Sequence, residues 1–283
     1  MPKGGGPEAS HLIILTINKK IMSKKIIISL SVIGITAAIA IGGTVAYFSD
    51  TETSVGNTFT AGAIDLTIDN ESYYNGKPSK GTSWVASDLT DQVFFYFSDL
   101  KPGDWGEDTV SLHVNNNNAW GCVTFENMVD DDNDCTEPET DDGDETCGAE
   151  GGELSDNLYF VFWADTCSID PALPGDNIYQ PGCDRLLTRG LASDILPGTT
   201  YTLAAPGELN VFTGEEGAPL IGGDDYYIGK IWCYGGLTFE EEEWVCDGGP
   251  VDNMSQTDSL IGDISFYVEQ SRNNSNFTCE VAR

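Results

Sequence analysis

The sequence predicts an all-β fold: an antiparallel β-sandwich of jelly-roll type with long disulfide-containing loop insertions. Three observations predict it. Apolar residues recur with a period of two and never sustain a helical period. Gly, Pro, Asn and Asp punctuate the runs, as in Lys101-Pro102-Gly103-Asp104, Asn115 to Asn118 and Leu196-Pro197-Gly198. Eight cysteines, an even number, all follow residue 121. That is the pattern of an oxidised, exported chain.

The N-terminal piece is of a different kind. Lys24 and Lys25 precede an uncharged apolar run, Ile26 to Ala46, which ends in Gly42-Gly43-Thr44-Val45-Ala46. A basic n-region, an apolar h-region and small exit residues define a secretory signal, with cleavage expected between Ala46 and Tyr47. The same run is long enough to span a bilayer if it stays uncleaved, which is the one membrane association the sequence offers. Residues 1–46 are therefore expected to be an N-terminal extension and removed signal peptide. Residues 47–283 read as a single β-sandwich domain, because no Ser/Pro/Gly-rich linker divides them.

The chain holds 46 acidic and 13 basic residues, for a formal charge of −33. Five of the basic ones (Lys3, Lys19, Lys20, Lys24 and Lys25) precede Ile26. The remainder is strongly acidic, which excludes nucleic acid as a partner and disfavours docking on an anionic membrane.

Each strand reading rests on its own residues. Ile64, Leu66 and Ile68 alternate with Asp65, Thr67 and Asp69; Val110, Leu112 and Val114 with Ser111, His113 and Asn115; Ile264, Phe266 and Val268 with Ser265, Tyr267 and Glu269. These are strands with one buried face. Val93 to Phe97 and Leu158 to Trp163 are unbroken apolar runs, read as strands covered on both faces. Tyr226 to Tyr234 and Glu243 to Cys246 are read as a hairpin. The polar segment Tyr47 to Asn57 has little to bury and is expected to be a mobile end, free to complete a neighbour's sheet.

Two insertions, 127–153 and 166–189, are too long for hairpin turns and need something to order them. Disulfides are one answer. Spacing does not dictate connectivity, but short loops favour Cys135–Cys147, Cys167–Cys183 and Cys233–Cys246, leaving Cys122–Cys279; free buried thiols are the alternative. No Cys-x-x-Cys pair suggests zinc. A cation is the other answer. Asp130, Asp132 and Asp134 stand at positions one, three and five of an EF-hand-like loop, with Asp141 and Asp144 placed to assist. Calcium wants several hard oxygens, and this loop supplies them. The pattern breaks where Cys135 replaces the turn glycine and Asp141 the final Glu, so a solvated acidic loop remains the alternative.

The run Gly42-Gly43-Thr44-Val45-Ala46-Tyr47-Phe48-Ser49-Asp50-Thr51-Glu52, followed by Asn57-Thr58-Phe59-Thr60-Ala61-Gly62-Ala63-Ile64-Asp65-Leu66, resembles the TasA/camelysin family of secreted surface and biofilm-matrix fibre proteins. The turn Leu100-Lys101-Pro102-Gly103-Asp104 and the closing residues Asn253, Gln256, Phe266 and Gln270 are similar to the same family. The resemblance implies export through a dedicated signal peptidase, a jelly-roll fold, a place on the cell surface or in the extracellular matrix of a prokaryote, and, in the best-understood members, self-assembly into fibres. The eight cysteines and two large loops depart from the family pattern.

Catalysis finds little support. A zinc peptidase needs several histidine or carboxylate ligands and a general base, and His113 is the one histidine after residue 46. It reads as an exposed strand residue without an obvious partner. No Gly-x-Ser-x-Gly elbow is present. No catalytic residue and no organic cofactor is nominated. The leading expectation is a non-enzymatic structural subunit that associates with copies of itself by strand addition. The alternatives are a monomeric calcium-stabilised adhesin or binding module and, behind it, a camelysin-like metallopeptidase.

Overall fold

The alternation of Leu66, Ile68, Asn70 and Ser72 sets the inward face of β2 (Asp65–Tyr74). Residues 49–53, 64–96, 99–148 and 150–280 are described by a computed structural model, the first stretch through its backbone. The expected cleavage pair, Ala46 and Tyr47, lies outside the described residues.

β2 pairs antiparallel with β5 (Trp105–Asn115). β5 pairs with β10 (Asp224–Tyr234), β10 with β7 (Leu158–Ala164), and β7 with β8 (Arg185–Leu191). Two short strands, β3 (Lys77–Pro78) and β4 (Trp84–Ser87), complete the seven-stranded sheet on the β2 side. The second sheet has the order β1-β13-β6-β9, with β1 at Ser49–Thr53, β6 at Ala119–Asp131, β9 at Thr200–Ala204 and β13 at Ser259–Gln270. A separate hairpin joins β11 (Gly236–Glu240) to β12 (Glu243–Asp247). The helices are short: α1 (Glu137–Asp142), α2 (Leu154–Asn157) and α3 (Ala192–Ile195).

The two main sheets bury one core between them. Phe125 on β6 meets Phe162 on β7 across the sandwich, at 5.5 Å between ring centres, and Phe94, from the segment between β4 and β5, meets Phe266 on β13 at 5.9 Å. A fully buried side chain of this size contributes about 2 kcal/mol. The outer face of β7 and β10 is covered as well: Val161, Trp163 and Ile231 pack under Leu237, Trp244 and Tyr179. Leu158 to Trp163 is thus a strand buried on both faces, as its unbroken apolar run predicts.

Four disulfides join Cys122 to Cys279, Cys135 to Cys147, Cys167 to Cys183 and Cys233 to Cys246. The last one staples the β11–β12 hairpin to β10. In the second insertion, Asp184 gathers three amides: Oδ1 accepts from Thr166 N and Cys167 N, and Oδ2 from Gln180 N, each at 2.8 Å.

Several expectations are corrected. Of Val93 to Phe97, the four described residues form no strand. Phe94 and Phe95 wedge into the core against Trp84 and Phe160, while Tyr96 points to solvent, so side-chain burial replaces backbone pairing. Glu243 to Cys246 pairs with β11 rather than with Tyr226 to Tyr234. Glu241 and Glu242 both take positive φ, 50° and 69°, the conformation that closes a tight two-residue hairpin. The first insertion starts after Asp131 because β6 runs on beside β13 (Ser259 opposite Asp131), and the second ends where β8 begins at Arg185. Ser49 to Thr53 is no free end: it pairs in register with Ser265 to Glu269 of β13.

Candidate metal centre

Where β6 leaves the sheet, the Cys135–Cys147 disulfide closes a loop that folds back on the strand end. Asp132 and Gly148 form an isolated bridge, with Gly148 N donating to Asp132 O at 2.6 Å. α1 starts after Thr136, whose N–H donates to Glu139 Oε2 at 2.5 Å. It ends at Gly143 in the left-handed region (φ 104°), which turns the chain so that Asp144 comes back toward Glu139.

This turn assembles a cage. Asp132, Glu139 and Asp144 each place a carboxylate oxygen within 4.8 Å of the others. Their exposures are 0%, 0% and 4%, in a position where acidic side chains are almost never found unpaired. Asp132 Oδ1 is buried and has no hydrogen-bond partner among the described residues. Glu139 Oε1 accepts from Thr257 Oγ1 at 3.1 Å, and Asp144 Oδ1 accepts from Thr146 N at 2.8 Å.

Three more carboxylates border the cage. Asp130 Oδ2 accepts from Ser155 N at 2.8 Å and Asp258 Oδ2 from Glu153 N at 2.6 Å. The second oxygens, Asp130 Oδ1 and Asp258 Oδ1, are buried without partners among the described residues, and so is Glu153 Oε2. Burial first, then Asp144 and Asp258, pushes Glu153 up to about 7. Burial and the neighbouring Asp130 and Asp132 push Asp258 up to about 6. Asp132 is raised by burial and by Asp144. None of the ion pairs among the described residues involves these groups.

Crowded carboxylates with unfilled lone pairs and no protein cation are matched by a hard, oxygen-seeking divalent ion. The donor set does not suit zinc. Cys135 and Cys147 lie beside Asp132, but as a disulfide they offer no thiolate.

Of the residues nominated from the loop pattern, the fold brings Asp132 and Asp144 into the cage and Asp130 to its border. Asp134 and Asp141 are exposed and stay outside it. The EF-hand spacing assumes a continuous loop, whereas β6 carries the chain through Asp131 and α1 turns Asp141 outward. Glu139, Glu153 and Asp258 escape the sequence reading. Glu139 carries a local signal, lying three residues after Thr136 in a capping arrangement. Glu153 and Asp258 carry none, since β13 delivers Asp258 from the far end of the chain.

His113 is also corrected. It is no partnerless strand residue: Nε2 lies 2.8 Å from Asp69 on β2 and Nδ1 2.6 Å from Asp225 on β10. Burial alone lowers its pKa, but the two flanking carboxylates outweigh that and hold it above the usual histidine range.

Fold and site together define a disulfide-stapled all-β sandwich with a buried carboxylate cage at one sheet end. Residues 18–119 match the family described as camelysin metallo-endopeptidase, which bears out the resemblance to the TasA/camelysin family over that stretch. The match covers β1 to β5 and His113, and none of the cage residues. No curated protein matches the chain.

Proposed function

We propose that this chain is an exported structural protein of the cell surface or extracellular matrix, which self-associates by strand addition and is stabilised by calcium in its carboxylate cage. The carrying observation is the position of β1. It is the edge strand of its sheet, and among the described residues it pairs with β13 alone. Five residues of terminal strand, held by one neighbour, can be exchanged between copies, and the acceptor edge of β13 then takes a strand from the next subunit.

Electron microscopy of the mature protein, with and without calcium, tests this reading. Fibres in the intact protein, absent after deletion of residues 49–53, support it. Fibres of normal appearance in the deletion variant, or monomers under every condition, overturn it.

The second reading is a monomeric calcium-stabilised adhesin, favoured by the cage itself. The family's description supplies a third, a metallopeptidase. Here the chain departs in its ligands, because His113 is engaged by Asp69 and Asp225 and no histidine joins a candidate metal cluster among the described residues. Chelator-sensitive casein hydrolysis would establish the peptidase reading in place of ours.

A further inference from the structure

The inward face of the seven-stranded sheet carries a polar stripe among its apolar residues. Asn70 and Ser72 on β2, Asp108 on β5 and Lys230 on β10 are 2%, 0%, 0% and 1% exposed. Lys230 and Asp108 are direct cross-strand partners, with Nζ 2.8 Å from Oδ2. Phe95 caps the amine at 3.7 Å from its ring centre. Among the described residues, neither Nζ nor Oδ2 has a hydrogen bond of proper geometry. A lysine with three N–H donors, one carboxylate oxygen and an aromatic lid is a poorly satisfied cation, since desolvating both charges costs more than such a contact returns.

We infer that Lys230 and Asp108 form an intramolecular isopeptide bond, a covalent rung between β5 and β10. The groups needed are in place. The ammonium passes one proton to Asp108 Oδ2, which leaves a neutral amine against a carboxylic acid. Burial favours that neutral form by lowering the amine's pKa. The nitrogen lone pair attacks Cγ, and the C–N bond forms as the carbonyl π pair moves onto Oδ1. Asn70 Nδ2 already donates to Oδ1 at 3.1 Å and stabilises the charge that develops there. Its orientation is locked by a second donation from Nδ2 to Thr82 O at 2.6 Å. A second proton then moves from nitrogen to Oδ2, the C–Oδ2 bond breaks, and water leaves as the carbonyl reforms. One ammonium and one carboxylate become one amide and one water, with no other reactant. A cavity of about 30 Å³, lined by Lys230 together with Ile228, Val110 and Phe94, is large enough to receive that water. The product removes two buried charges and ties two central strands of the sheet, whatever the protein's assembly state.

Mass spectrometry of the purified exported protein, with its disulfides reduced and alkylated, tests the bond. The expected intact mass is one water below that of the sequence from its measured N-terminus. A proteolytic digest should yield a branched peptide joining Asp108 to Lys230. In Lys230→Met both the deficit and the branch should be gone. An intact mass equal to the sequence overturns the inference. So does a water loss mapped to any other residue, or a deficit of one ammonia with the branch at Asn70.

Discussion

Trp163 lies flat across Gly229, its direct cross-strand partner on β10, so closely that a Cβ on residue 229 would overlap the indole. The missing side chain lets β7 seat its tryptophan in the outer cluster beneath Tyr179. Gly229→Ala is therefore expected to destabilise the protein by about 1–3 kcal/mol, the usual cost of overpacking. In thermal denaturation that corresponds to a loss of roughly 2–4 °C per kcal/mol for a domain of this size. Gly81→Ala, whose added methyl group would meet nothing within 4 Å, is the control and should be near neutral. Equal melting temperatures for the two variants would count against the packing account.

The Asp69–His113–Asp225 ladder makes stability depend on pH. The folded pKa of His113 lies above the unfolded value, so the folded state holds the extra proton. Its stabilisation is complete below about pH 6.5, the unfolded value, and fades as pH rises through the higher folded value. His113→Gln should cost about 1.5–3 kcal/mol at pH 5.5, the range of hydrogen bonds to charged groups, and distinctly less at pH 9. Urea denaturation of both proteins across that range measures the difference, and a pH-independent gap refutes the assignment.

The cage predicts opposite effects of one substitution in two buffers. Without calcium, Asp132→Asn removes a charge repelled by Glu139 and Asp144 and should raise the melting temperature. With calcium, the wild type should gain about 2.7 kcal/mol at a hundredfold excess over Kd, and the variant should gain much less. Differential scanning calorimetry with chelator and with calcium reads both. An unchanged wild-type melting temperature sinks the calcium reading.

Export predicts a mature N-terminus at Tyr47. Edman sequencing of the protein recovered from the medium or cell surface should read Tyr-Phe-Ser-Asp. A retained leader there would falsify cleavage and support an uncleaved anchor.

The β-sandwich is legible in the sequence because period-two alternation is a local property. Leu66 and Ile68, Val110 and Leu112, and Ile264 and Phe266 declare their buried faces without reference to any partner. Val93 to Phe97 misleads for the complementary reason. An apolar run reports burial, and Phe94, buried, and Phe95, partly buried, pack as wedges against the core rather than as members of a sheet. The cage is half legible: its acidic loop and closing cysteines are contiguous, and they contain Asp132, Glu139 and Asp144.

What the sequence alone determined is therefore the class of fold, the cysteine-rich and acidic character of the chain after residue 46, and the loop in which a cation site would form. Only the tertiary structure decided which charges meet. Alternation gives the face of a side chain but not the register between strands, and register is set by the packing of the whole sandwich. It places Asp258 beside Asp130, Asp225 beside His113, and Lys230 opposite Asp108. Each of these contacts joins residues far apart in the chain, so no local pattern announces them. The same global packing holds Ser49 to Thr53 against β13, where a segment of polar sequence is kept in place by backbone pairing.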